Sequence, residues 1–264
     1  MVSRRSRHVV VGLVAALGSI VMSACGSASG LGQMGQTTPT PAVTPATSGA
    51  PAAPVVRYMP LGDSITDGFT VAGGYRTALW TRMVKDDGDK IDFVGSRKTG
   101  PATLGDQDNE GHPGWCIDGP CGGNTDELVY PRVHRWMTTY KPDIVSIHLG
   151  TNDLKFGASG AVVAYRLDEV IAQIYRDDPG TYVVVATIVP MKDVAKPWAD
   201  YNRLIPRIAT RYQKQGRQIE VADLADSVRQ PRDFADSLHP NAEGYTKMAN
   251  ALYPVMNRAY LAES

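Results

Sequence analysis

The sequence predicts an α/β domain built on a parallel sheet with helices on both faces. Two observations carry this. Short apolar, β-branched runs alternate along the chain with segments of helical periodicity, the pattern of successive strand–helix–strand units. Several of these runs end at a glycine or an Asx-rich turn, as strands do where the chain leaves a sheet edge. The length agrees: of 264 residues, roughly 210 remain once an atypical N-terminus is set aside, the size of one α/β domain.

The elements follow in order. Val55–Leu61 reads as a short strand ending at Gly62, and Tyr75–Val84 as a helix entered through Gly73-Gly74. Ile91–Gly95 is a second strand, followed by a Gly/Asp/Asn/Pro-rich loop from Lys98 to about Gly123. Thr125–Tyr140 has Leu128, Val129, Val133, Trp136 and Met137 on one helical face, with Thr125 as its N-cap. Ile144–Leu149 is a buried strand stopping at Gly150, and Val162–Tyr175 is helical. Thr181–Val189 is the longest β-branched run and is expected centrally in the sheet. A helix over Asp200–Gln215, irregular at Pro206, a strand over Gln218–Leu224 and a helix over Asn241–Leu261, disturbed by Pro254, complete the domain.

The N-terminus belongs to no such element. Arg4, Arg5, Arg7 and His8 precede an apolar run from Val9 to Met22, shorter than the ~20 residues a membrane-spanning helix needs. With Ser23-Ala24-Cys25 after it, residues 1–24 read as a lipoprotein-type signal peptide, with Cys25 the lipidated first residue of an exported, membrane-anchored protein. Plain secretion after cleavage near Ala24 is the alternative. Residues 25–54, rich in Gly, Ser, Thr, Pro and Ala, cannot bury enough surface to offset ordering entropy and read as a tether to a domain at 55–264. Lys plus Arg equals Asp plus Glu at 27 each, so there is no basic footprint for nucleic acid.

With Cys25 assigned to lipid, Cys116 and Cys121 remain as an even pair around the turn-forming Gly119-Pro120, and a disulfide is expected in an oxidising compartment. A metal reading of the two cysteines lacks a second ligand pair, and no His-Glu-x-x-His or phosphate-cradling loop occurs. No metal or organic cofactor is expected.

The chemistry lies in four separated pieces. Ser64 follows Gly62-Asp63 directly after a strand, where a hydroxyl and a backbone N–H can face the same space. Gly114, in Gly111-His112-Pro113-Gly114-Trp115, can bring an N–H close to a substrate with no Cβ in the way. Asn152, in Gly150-Thr151-Asn152-Asp153, offers a side-chain amide to a developing oxyanion. Asp236 stands three residues before His239, close enough to fix the imidazole tautomer and leave Nε2 as a base. Each piece alone is also an ordinary turn or cap; together they supply a nucleophile, oxyanion donors and an oriented base. Trp115 and Trp198 are candidate sugar platforms, with core packing the competing reading. His148 sits inside an apolar strand and reads as a core residue.

In this order the four pieces resemble the SGNH hydrolases, or GDSL-type esterases, over essentially the whole of residues 55–264. Gly73-Gly74-Tyr75-Arg76, Phe93-Val94-Gly95-Ser96, Gly111-His112-Pro113-Gly114-Trp115, Tyr201-Asn202 and Leu238-His239-Pro240-Asn241 are further similar to carbohydrate esterase family 3, which includes acetylxylan esterases. The resemblance implies a flavodoxin-like three-layer α/β/α sandwich. It implies Ser64 as nucleophile, His239 as base oriented by Asp236, and an oxyanion hole of the Ser64 and Gly114 N–H groups and the Asn152 amide. The substrate it implies is a small acyl ester, an acetyl group on a carbohydrate. A lipase or lysophospholipase is the alternative within the class, and a catalytically silent cell-wall glycan-binding protein the alternative outside it. The cysteine pair beside Gly114 departs from the family pattern.

Overall fold

The computed structural model describes residues 55–264; the expected signal peptide, Cys25 and the tether lie outside them. Five parallel strands form the sheet: β1 (Val56–Gly62), β2 (Ile91–Phe93), β5 (Ile144–His148), β6 (Tyr182–Ala186) and β7 (Ile219–Ala222), in the spatial order β2-β1-β5-β6-β7. This is the flavodoxin-like order. Two short strands add to it. β4 (Asp108–Gly111) takes over from β2 beside the C-terminal end of β1, pairing Leu61 with Glu110 and Gly62 with Gly111, and β3 (Arg97–Lys98) lies antiparallel to β4. β6 is interior, between β5 and β7, while the middle of the five-strand order falls to β5. Burial on both faces suffices to demand a β-branched run, so composition alone does not distinguish these two positions.

The period-2 alternation of the strands sorts side chains into two cores. Met59, Leu61, Val145, Ile147, Val183 and Val185 point to one face. They meet α3 (Tyr130–Tyr140), α5 (Gly160–Asp177) and α6 (Ala195–Gln213). Val56, Tyr58, Ile144, Tyr182 and Val184 point to the other face, against α2 (Gly74–Trp80, continued as a π-helical segment Thr81–Asp86) and α7 (Ala242–Glu263). The helices bury one stripe each: Val163, Leu167, Val170, Ile171 and Ile174 of α5 recur at spacings of three and four, and the Ser159 hydroxyl caps its start by accepting from the Val162 N–H.

Several element boundaries differ from expectation. The third helix begins at Tyr130, not Thr125, because the preceding residues pair with the cysteine segment: Cys116 N–H donates to the Glu127 carbonyl at 3.2 Å and Val129 N–H to the Cys116 carbonyl at 3.0 Å. Pro131 then occupies a first-turn position, where its missing N–H costs nothing. Pro206 and Pro254 lie inside continuous helices. Both are on exposed faces, where carbonyls released from the ladder can bind water. Two short helices were not expected: α1 (Ser64–Asp67) and α4 (Thr151–Lys155), each starting at the C-terminal edge of the sheet.

Candidate active site

In open α/β sheets the crevice beyond the strands' C-terminal ends, where the strand order reverses, is the place for a ligand. Here the reversal lies between β1 and β5. The first loop carries Ser64 and the second Asn152. The Asp63 carboxylate caps α1 by accepting from Ile65 N–H at 2.9 Å, so Ser64 is the helix's first residue and its N–H lies outside the helical ladder. Gly150, at φ +113°, turns β5 into α4 with its Cα against the Tyr201 ring, where a Cβ would sit 2.8 Å from a ring carbon. Asn152 is buried in the first turn of α4.

β4 delivers the third piece. Its C-terminal residue leads into His112-Pro113-Gly114-Trp115, closed by Trp115 N–H donating to the His112 carbonyl at 3.2 Å. Proline second and a glycine at φ +84° third are the residues of a type II turn. The Asn152 Nδ2 donates to the Trp115 carbonyl at 2.8 Å, tying the turn to α4. Behind it, the Asp153 carboxylate accepts from Ile117 N–H and from Arg166, both at 2.8 Å. Burial raises the Asp153 pKa and these bonds oppose that rise, a structural role for this acid. Cys116 and Cys121 are joined as a disulfide with Cα atoms 5.7 Å apart, buried beside Leu128.

The last piece is on the long loop after β7. Its anchor is Asp233, a buried carboxylate that accepts from Arg229 N–H (2.8 Å), Arg232 (3.1 Å) and Lys247 (2.7 Å). These partners, Arg232 foremost, hold its pKa far below the usual carboxylate range despite burial. The loop closes where Ala235 N–H donates to the His239 carbonyl at 2.9 Å. Asn241 then caps α7 by accepting from Gly244 N–H. Within this frame the Asp236 Oδ1 accepts from the N–H groups of Leu238 (2.7 Å) and His239 (2.6 Å), and its Oδ2 lies 2.8 Å from His239 Nδ1. Burial would raise the Asp236 pKa; the bonds from His239 and Leu238 outweigh it and leave the carboxyl lowered. His239 Nε2 is 2.9 Å from Ser64 Oγ, across 175 positions of sequence.

Ser64, Gly114, Asn152 and His239 thus line one open cleft of about 140 Å³. With Asp236 ionised, Nδ1 carries the imidazole proton and Nε2 is left to accept from the Ser64 hydroxyl. Residues 61–247 match the family described as GDSL-like Lipase/Acylhydrolase. The chain belongs to that family. It is similar to the multidomain esterase of Ruminococcus flavefaciens, 29% identical over a 220-residue alignment that covers 75% of this chain; the chain spans only 28% of that protein's length. Among solved structures it is similar to the family 3 carbohydrate esterase of Clostridium thermocellum, at 30% identity and a TM-score of 0.69, over 79% of this chain and 99% of that one. A carbohydrate esterase family 3 structure from Talaromyces cellulolyticus matches at 25% identity and a TM-score of 0.64, over 79% of this chain and all of the other.

The two tryptophans separate. The Trp198 indole N–H donates to the carbonyls of Ile188 and Val189, at 2.9 Å each, and its ring packs on the core. It does not line the cleft around Ser64, and its contacts are those of the core-packing reading. Trp115 contributes its carbonyl to Asn152, while its ring lies on the far side of the turn, against His112 with centroids 4.1 Å apart. His148 is fully buried, and burial lowers its pKa. Four lining residues were not among the site candidates: Phe69, Pro113, Lys155 and Leu238. The Phe69 ring stands 5.0 Å from the His239 ring, and no sequence signal distinguishes it from any exposed loop aromatic. Lys155 was findable, since it follows Asn152 by three residues and shares its helical face.

Proposed function

We propose that this protein is an exported serine esterase that removes small acyl groups, acetyl foremost, from a carbohydrate. The observation that carries the reading is the 2.9 Å approach of Ser64 Oγ to His239 Nε2 in a cleft shared with Gly114 and Asn152. Ser64 Oγ attacks the ester carbonyl carbon while its proton passes to His239 Nε2. Asp236, accepting from Nδ1–H, stabilises the imidazolium. The carbonyl oxygen becomes an oxyanion received by the Ser64 and Gly114 N–H groups and the Asn152 Nδ2–H that does not bond Trp115. The bond to the leaving oxygen then breaks, and His239 returns its proton to that oxygen to release the alcohol. A water attacks the acyl-enzyme, gives a proton to His239, and the second tetrahedral species collapses to the acid with the proton restored to Ser64.

The small open cleft suits a short acyl group, and the similarity to family 3 carbohydrate esterases supports a sugar as the alcohol. Hydrolysis of p-nitrophenyl acetate and acetylated xylan, against p-nitrophenyl esters of long acids, tests both. A marked long-chain preference replaces this reading with a lipase, and failure of a fluorophosphonate to label Ser64 replaces it with a binding protein. Export rests on the sequence: removal of residues 1–24, with lipid on Cys25, is read from mass spectrometry of the mature N-terminus. An unmodified start other than Cys25 refutes the anchor.

A further inference from the structure

A second cleft, of about 230 Å³, lies between α3 and the turn that carries Gly114. The ends of the turn, His112 and Trp115, line it, whereas the middle, Pro113 and Gly114, lines the cleft at Ser64. A four-residue turn therefore separates the two. The walls of the second cleft are aromatic and cationic. Trp115, His112 and Trp136 are stacked within 24° of parallel, and the Arg132 guanidinium covers the Trp115 ring at 4.5 Å.

Arg132 spends its N–H groups on the carbonyls of Asp126 and Leu128, which fixes it without neutralising it. Arg135 is exposed and makes no ion pair or hydrogen bond through its guanidinium among the described residues. Among the described residues no carboxylate lines this cleft. The acid beneath it, Glu110, is fully buried and already accepts from Ser96 N–H, Ser96 Oγ and His112 Nε2, at 2.5, 2.8 and 2.7 Å. His112, itself buried, has no hydrogen-bond partner at Nδ1 among the described residues. The positive side continues past the catalytic cleft: Lys155 lines both it and the adjoining recess, where Lys192 stands against a single acid, Asp193. Arg132, Arg135, Lys155 and Lys192 thus line this cleft and the two beyond the turn, with Asp193 the one acid among those lining residues.

We propose that the cleft between α3 and the His112–Trp115 turn is a subsite for an acidic sugar, a uronate unit of the same glycan whose ester lies at Ser64. The stacked Trp115 and the half-buried Tyr140 wall the space for the sugar ring, the Arg135 guanidinium takes the carboxylate, and His112 Nδ1 is available to a ring hydroxyl. The inference rests on the esterase reading for the word "same", and its test is a binding measurement that needs no turnover.

The Ser64→Ala protein is titrated calorimetrically with xylotetraose and with xylotetraose bearing one glucuronic acid. The acidic ligand is expected to bind about two- to fivefold tighter at low salt, the size of one partly exposed charge pair. That advantage is expected to vanish in Ser64→Ala/Arg135→Gln and to fall in about 0.5 M NaCl, where the screening length is a few ångströms. Equal affinities, no binding of either ligand, or an advantage that survives Arg135→Gln would each overturn the subsite. The esterase reading is judged separately by wild-type hydrolysis of p-nitrophenyl acetate. Hydrolysis with no acidic preference removes the subsite alone; acidic preference without hydrolysis removes the esterase and leaves the subsite.

Discussion

Asn152 and Trp115, 37 residues apart in sequence, are joined by an amide-to-carbonyl hydrogen bond of 2.8 Å. One N–H of the Asn152 amide is thereby fixed, and the other is aimed into the cleft without the freedom to reorient. The bond also sets the turn of Gly114 against α4, so two of the three proposed oxyanion donors are placed by one contact. Asn152→Ala is expected to lower kcat by about 10²–10³-fold on p-nitrophenyl acetate, with a smaller change in KM, as for other single oxyanion donors. Asn152→Asp should be at least as damaging, because a carboxylate there would face the developing negative charge. Steady-state kinetics of the two variants checks both statements, and wild-type kcat in either removes Asn152 from the oxyanion hole.

Asp236 yields a sharper expectation. Its Oδ1 is committed to two backbone N–H groups, which only an oxygen can accept. In Asp236→Asn the amide nitrogen must therefore take the other position, facing His239 Nδ1, and donate to it. That forces the proton onto Nε2, the wrong tautomer for a base. Because the Asp236 side chain is 46% exposed, water can partly orient the ring when the side chain is simply removed. Asp236→Asn is expected to lose about 10³-fold in kcat, and more than Asp236→Ala. The reverse order, measured with thermal melting to show both variants folded, would reject the tautomer argument.

How much of this was legible in the sequence depended on whether a feature was local. Alternating apolar strands and helical stripes announced the parallel α/β sandwich, and strand termini at Gly62 and Gly150 located the loops of Ser64 and Asn152. Asp236 and His239, three residues apart, could be paired from spacing alone. The start of α3 could not be, because the pairing of residues 127–130 with Cys116 and Ile117 is a long-range hydrogen-bond choice that overrides helical periodicity. Nor could the fate of the tryptophans be read. Trp198 has carbonyl partners 9 and 10 positions upstream, and Trp115 turns its ring away from the cleft its own backbone helps to build. Such facts depend on how loops fold over one another.

Gly114 is the next test. Its φ of +84° is strained for any L side chain, yet a Cβ there would meet nothing within 4 Å. The cost of Gly114→Ala is therefore conformational and not steric, about 1 kcal/mol. Stability by urea titration should fall by that amount only. Activity should fall further, since relaxing φ moves the N–H proposed to serve the oxyanion. A loss of several kcal/mol would show that the turn has a packing role despite the open space around Gly114.

Asp233 predicts an acid limit. Its folded-state pKa is depressed, chiefly by Arg232 and also by Lys247 and the Arg229 N–H. A carboxyl lowered on folding adds stability that is complete above its unfolded value, about 3.9, and is lost as pH falls toward the lowered value. Denaturation midpoints should stay level in this respect above about pH 5 and decline below pH 4. Asp233→Asn should flatten that decline and cost about 1–3 kcal/mol at neutral pH. It should also weaken kcat, because the loop it anchors carries His239.

His148 acts in a different pH window. It is fully buried in β5, and burial pushes its pKa below the ordinary imidazole value of 6.5, against a smaller opposing pull from Asp63. The folded protein therefore binds this proton less readily than the unfolded chain. The stability so gained is complete above about pH 6.5 and lost as pH falls through that value toward the lowered one, with a limiting slope of about 1.4 kcal/mol per pH unit. Removing the titrating ring with His148→Leu should abolish the slope between pH 6.5 and 5 while leaving the decline below pH 4 that belongs to Asp233. Urea midpoints of wild type and variant across pH 4–8 make the comparison. An unchanged slope in the variant would mean that the proton taken up on unfolding belongs to another group, and would transfer the assignment away from His148.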